Sequence, residues 1–251
     1  MIKHVTSVQH PIVKHLVKLR QNRDYRYDQQ SVLIEGVKLV REVSSHLHLK
    51  TLLVQDETLV PKGVKADEIL VVSESVMNKI SGVHTPEGII AEVAMPKSST
   101  LKGKRILAFD GVSDPGNIGA LLRTAIALGW DGVFILEDSC DPFNEKAIRA
   151  ARGATFRLPL AWGNWDQLQQ VINDNQLEPI LADLQGENLD GFDAKKGVLL
   201  VLGNEGHGPT SHAKEICRPV TIPMPGEMES LNVSIAGAII MYTLRKDKKG
   251  K

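Results

Sequence analysis

Apolar residues in the first ninety positions change their period several times. Ile12, Leu16 and Leu19 recur at helical spacing after Pro11, SVLIEG then alternates as a strand, and a second helical stretch follows over 37–46. The runs TLLVQD and ILVVS and the segment GIIAEVAM read as further strands. Helices and strands mixed over roughly ninety residues predict a small α/β domain.

Beyond residue 104 the alternation is more regular. RILAFDG predicts a strand, 118–128 a helix, GVFIL a strand, 145–152 a short helix and 155–160 another strand. WDQLQQVIND predicts a helix, while PILADL, GVLLVLG and PVTIPM read as strands before a final helix from Val233. Unbroken apolar runs such as VLLVL indicate strands covered on both faces, hence an α/β domain with a mainly parallel sheet. Between the two textures MPKSSTLKGKR is polar and broken by Pro and Gly, the composition of a linker. The expected organisation is a first domain over 1–95, a linker over 96–104 and a second domain over 105–251.

Composition adds exclusions. With 42% hydrophobic and 24% charged residues, the 251-residue chain can bury one or two cores and is not expected to be disordered. No window approaches the ~20 apolar residues of a membrane span. The N-terminal MIKHVTSVQHPIVKHLVKLR interrupts each apolar run with Lys or His, so no secretory leader is expected and the chain reads as cytoplasmic. Cys140 and Cys217 lack CxxC or Cys/His spacing, so they read as reduced structural residues, with no metal site indicated.

Charge balances overall, 30 Lys+Arg against 30 Asp+Glu, but not locally. Lys3, Lys14, Lys18, Arg20, Arg23 and Arg26 face only Asp24 and Asp28 near the start, and the tail from Arg245 is basic. Such ends can hold a polyanion, because phosphate affinity depends on the cations that reach it. The plainer reading is a solvated helix face and a frayed tail.

Three loop segments combine a strand end with special backbone residues, where ligands bind in open α/β sheets. In DGVSDPGNIGALLRTA, Asp114, Pro115 and Gly116 form a turn, Asn117 is placed to cap a helix and Gly129 to end it. Ile118, Leu121, Leu122 and Ala125 share that helix's apolar face, leaving Arg123 free of it. Gly111 to Gly116 has the GxxxxG spacing of a phosphate loop, but Asn117 and Ile118 replace its Lys and Ser/Thr, and GxGxxG occurs nowhere. Alone, the segment reads equally as a capped helix with a surface arginine. In VLLVLGNEGHG, Gly203, Gly206 and Gly208 flank Asn204 and Glu205, so backbone amides can approach a ligand closely. His207 reads as an exposed loop residue. In IPMPGEMESLNVSIAGAIIMY, Ser230, Asn232 and Ser234 are three polar residues where one helix cap would suffice.

Together NIGALLR, LGNEG and IPMPGEMESLNVSIAGAI resemble the three motifs of the SpoU/TrmH family of RNA ribose 2′-O-methyltransferases, of the SPOUT class, in order and over 105–245. QHPIVKHLVKL, VLIEGVKLVRE and TPEGIIAEV are similar to an upstream RNA-binding domain that looks like a small ribosomal protein. The resemblance implies a trefoil-knotted C-terminal domain, S-adenosyl-L-methionine as cofactor, a homodimer whose protomers complete the sites, and ribosomal RNA as substrate in preference to transfer RNA. It assigns Asn117, Arg123, Glu205, Ser230 and Asn232 to catalysis, and Leu202, Gly203, Ile222, Met224 and Leu231 to the cofactor. Arg20, Arg23, Lys38 and Arg41 are the candidates for RNA contact. Arg123 is expected to act as an electrostatic clamp before it acts as a base, because a charged guanidinium has no acceptor, with Glu205 as its partner. The rivals are a non-catalytic RNA-binding assembly protein and a dehydrogenase-like enzyme, the latter disfavoured by the missing GxGxxG.

Overall fold

The computed structural model describes residues 2–192 and 196–245. The chain forms two compact units, one of residues 1–96 with 143–156, the other of 97–142 with 157–251. The basic tail beyond Arg245 lies outside the described residues.

In the first unit a five-stranded sheet has the order β1 (Lys3–Val5), β4 (Ala66–Val72), β3 (Leu49–Val54), β5 (Ile89–Ala94), β2 (Ser31–Glu35). The pairs β1·β4 and β4·β3 are parallel, and β5 is antiparallel to both its neighbours. Helix α1 (Pro11–Gln21) starts with Pro at its first position and buries Val13, Leu16 and Leu19. They pack with Val76, Met77 and Ile80 of α4 (Glu74–Ile80) into one core. Helix α2 (Arg23–Gln29) was not legible in the apolar pattern, because its buried side chain is Arg26, whose guanidinium donates to the carbonyls of Leu19 and Arg20 at 2.9 Å each. Arg26, one of the basic N-terminal residues, is thereby a bracket between α1 and α2. Helix α3 (Val37–Ser44) buries Leu39, Val40 and Val43.

In the second unit all six strands are parallel, in the order β11 (Arg218–Thr221), β9 (Leu177–Asn188), β10 (Gly197–Gly203), β6 (Arg105–Asp110), β7 (Gly132–Leu136), β8 (Leu160–Gly163). Every residue of β10 and β7 is buried, as their unbroken apolar runs require. Within the stretch expected as a linker, Leu101 is buried in this core and Gly103 N–H donates to Asn175 at 2.9 Å. The strand expected at 155–160 is instead a single 3-10 turn at Ala154–Phe156, with β8 beginning at Leu160. Residues 143–156, including α6 (Glu145–Ala151), pack with the first unit.

Helices α5 (Pro115–Ala127) and α9 (Val233–Thr243) bear directly on the candidate site. They meet where Gly237 leaves no room for a side chain: an added Cβ would lie 2.6 Å from Leu121 and 2.7 Å from Leu202. Trp130 Nε1 ties the end of α9 by donating to the Met241 carbonyl at 3.2 Å.

Candidate active site

Parallel register places Gly203 of β10 opposite Asp110 of β6, so the loops after these central strands leave the sheet side by side. At Gly203 a Cβ would lie 2.7 Å from backbone atoms of Pro209, so glycine is what lets the chain fold back on itself here. The returning loop is closed by backbone hydrogen bonds in both directions between Asn204 and Gly208. Asn204 then joins the two loops: its amide donates to the Gly111 carbonyl at 2.8 Å, and its oxygen accepts from the N–H groups of Gly206 and His207. His207 is exposed, as expected of a loop residue.

Helix α5 starts earlier than its apolar pattern indicates. Pro115 takes the first helical position and Asp114, not Asn117, is the cap, its carboxylate accepting from Asn117 N–H at 2.8 Å. That shift matters chemically, because the Asn117 side chain is released from capping and turns to Glu205. Its Nδ2 donates to Glu205 Oε1 at 2.9 Å, while its Oδ1 accepts from Asn232 Nδ2 at 3.1 Å. Asn232 is itself the cap of α9, its oxygen accepting from Ser234 N–H at 2.9 Å, from the Ser234 hydroxyl at 2.6 Å and from Ile235 N–H at 3.4 Å. One directional chain, Asn232 to Asn117 to Glu205, thus joins all three loop segments.

Glu205 is surrounded by donors. Oε1 accepts from Asp114 N–H and Asn117, and Oε2 from the N–H and hydroxyl of Ser113, so all four acceptor positions are filled. Burial raises its pKa, but the hydrogen bonds from Asn117, from Ser113 and from its own backbone outweigh burial and hold it down at about 2. The expected ion pair between Glu205 and Arg123 does not form; the carboxylate is held instead by Ser113, Asp114 and Asn117. Arg123 is exposed on α5 without a partner among the described residues.

Beside this chain lies a cavity of about 510 Å³. Leu202, Gly203, Ile222, Met224 and Leu231 line it, with Glu205, Ser230 and Asn232 at its polar side; Asn117 and Arg123 do not. Ala182 to Gln185 of β9 also line it, from a strand that runs four residues past the PILADL segment read from the sequence. Gly186 was the available signal for that extension, since a Cβ there would lie 2.4 Å from Val220 N. Ser113 and Asn204, also not singled out from the sequence, sit inside segments that were.

Cys140 is half-buried and Cys217 buried, both free, and burial with the nearby Asp110 charge pushes the Cys217 thiol up to about 12. Among the described residues no cluster of His, Cys, Asp and Glu is placed to hold a metal, and no helix is long and apolar enough to cross a membrane. Of the four RNA candidates, Arg20 is 3.5 Å from Glu145 and Arg23 stacks 5.6 Å from the Tyr27 ring centre, while Lys38 and Arg41 are exposed on α3.

Residues 104–242 match the SpoU rRNA Methylase family, and residues 10–91 the MRM3-like substrate binding domain. The chain is similar to the 23S rRNA (guanosine(2553)-2′-O)-methyltransferase RlmP of Bacillus subtilis (strain 168), with 32% identity over 248 residues that cover 97% of this chain and all of the relative. The 23S rRNA (guanosine-2′-O-)-methyltransferase RlmB of Bordetella pertussis is 36% identical over 148 residues, 58% of this chain and 60% of its own. Among solved structures, the AdoMet-bound rRNA methyltransferase from Sinorhizobium meliloti superposes with a TM-score of 0.83 at 30% identity, covering 96% of this chain and 97% of that one.

Proposed function

The chain belongs to the SpoU rRNA methylase family, and on that premise we propose that it methylates the ribose 2′-hydroxyl of one nucleotide in structured RNA, ribosomal RNA in preference to transfer RNA, using S-adenosyl-L-methionine. The observation that carries the reading is the chain Asn232 to Asn117 to Glu205 at the rim of the cavity. The cavity suits the cofactor: its volume is that of a small-molecule site, and Leu202, Ile222 and Leu231 offer apolar surface beside the exposed backbone of a glycine-rich loop. S-adenosylmethionine, when bound, supplies a methyl group on a cationic sulfur that an oxygen nucleophile can displace.

Glu205 is not the base in this reading. A carboxylate with a pKa of about 2 stays ionised at neutral pH and is too weak to take a hydroxyl proton. Its role is to fix Asn117, and through it Asn232, as preorganised dipoles facing the ribose. Ser230 adds a hydroxyl at the cavity wall. Arg123 clamps the neighbouring phosphate and the alkoxide that develops on the ribose.

A homodimer belongs to the same reading. On α9, Ile235, Ile239 and Tyr242 are 52%, 38% and 57% exposed at i, i+4 and i+7, an apolar stripe on a helix next to the cavity. A second copy covering this stripe would bring Arg123 of the partner subunit to the site, which explains an essential arginine outside the cavity lining. The trefoil knot, the cytoplasmic location and the division into an RNA-binding 1–95 and a catalytic 105–251 complete the proposal. The intact donor set around Glu205 favours catalysis over a purely RNA-binding role. Titration calorimetry tests the reading: S-adenosylmethionine should bind and a nicotinamide dinucleotide should not, and the reverse result would defeat it.

A further inference from the structure

The N-terminal unit has its own concavity, enclosing about 890 Å³ between the end of α3 with the 45–48 connection and the 58–65 loop. Sheet register brings these segments together: Leu49 pairs with Ala66, and Leu49 N–H donates to the Lys65 carbonyl at 2.9 Å, which sets His48 beside Lys65. A turn from Pro61 to Val64, closed by Val64 N–H on the Pro61 carbonyl at 3.2 Å, has Gly63 at φ +72° and holds Lys62 out at its tip.

Arg41, His46, His48, Lys62 and Lys65 line this cleft, and among the described residues no carboxylate does. Asp67, which follows on β4, is engaged by His48 at 2.6 Å. Arg41, Lys62 and Lys65 are exposed, and their side chains have no hydrogen-bond or ion-pair partner among the described residues. Arg20 and Arg218, by contrast, are engaged, the first by Glu145 and the second by Glu178 and Glu187. The C-terminal end of α3 opposes an anion here with about half a charge, which three full positive charges outweigh. No Phe, Tyr or Trp lines the cleft among the described residues, so it offers charge and hydrogen bonds without a stacking surface for bases.

We propose that this cleft binds the sugar-phosphate backbone of the RNA substrate, with Arg41, Lys62 and Lys65 as the phosphate contacts. The proposal rests on the reading of the chain as an RNA methyltransferase and gives the N-terminal unit a phosphate-binding surface of its own.

The test compares the full-length protein with its R41A/K62A/K65A and R20A/R23A variants, using ribosomal RNA transcript binding from 50 to 300 mM salt and methyl-transfer kinetics. Loss of three phosphate contacts should flatten the log–log salt slope by about 2 to 3 and weaken binding at 0.15 M salt roughly 30- to 100-fold. KM for RNA should rise while kcat at saturating RNA and the affinity for S-adenosylmethionine stay unchanged, and R20A/R23A should move the slope less. An unchanged slope in the triple variant, or an equal change in R20A/R23A, overturns the cleft assignment while leaving the enzymatic reading intact. A wild-type protein that neither binds nor methylates RNA overturns both.

Discussion

The Asn117 amide nitrogen lies 2.9 Å from Glu205 Oε1, and this bond ties the start of α5 to the loop after β10 across 88 residues of sequence. With the Asn232 contact at 3.1 Å it makes one unit of three separate chain segments. Residues acting as a unit lose function together, so single substitutions should each cost nearly as much as the combination.

Asn232→Asp separates the unit from the fold. The aspartate keeps the oxygen that caps α9 but loses the N–H donor to Asn117. Methyl transfer should fall by about 100-fold or more, with the melting temperature close to wild type. Asn232→Ala should lose activity and also about 1 kcal/mol of stability with the cap. Kinetics alongside thermal melts check both.

Much of the site could be read from the chain, because loops at the ends of buried strands are marked by Gly, Asn and Pro. Gly203, Glu205, Asn232 and the cavity-lining Ile222 and Leu231 all come from such segments. What could not be read depends on competition between neighbouring local signals and on tertiary contacts. Asp114 displaced Asn117 as the cap only because Pro115 opens α5 one turn earlier than the apolar residues do. Arg123 could not be denied Glu205 until Ser113 and Asp114 were seen to fill the carboxylate. In the fold, α2 escaped because a buried arginine rather than an apolar stripe holds it.

Glu205 should leave an acid signature. Its pKa falls from 4.5 to about 2 on folding, so its contribution to stability is fully present above pH 4.5 and is lost as the pH drops toward 2. Glu205→Gln removes that dependence. Urea midpoints of wild type and variant should differ at neutral pH and converge toward pH 2; a constant difference would show that the charge is not what the donors stabilise.

Gly203→Ala tests the folded-back loop. The new methyl meets backbone atoms of Pro209 and Gly208 that cannot swing away as a side-chain tip can. A loss of about 1–3 kcal/mol and weaker S-adenosylmethionine binding are expected, read by denaturation and calorimetry.

Arg123→Ala should abolish methyl transfer with cofactor affinity nearly unchanged. Because Arg123 lies outside the cavity lining, mixing this variant with Asn232→Asp should restore activity through heterodimers that carry one intact composite site. No recovery on mixing would place Arg123 and Asn232 of the same protomer in one site.

The chemical position of the transferred methyl is the most direct measure of what this site does. The purified protein should move a labelled methyl group from S-adenosylmethionine to one nucleotide of unmodified ribosomal RNA. That nucleotide's 3′ phosphodiester should become resistant to alkali, because a methylated 2′-oxygen can no longer attack the phosphate. Label on a base with alkali-sensitive linkages throughout, or no transfer to any RNA, would contradict it.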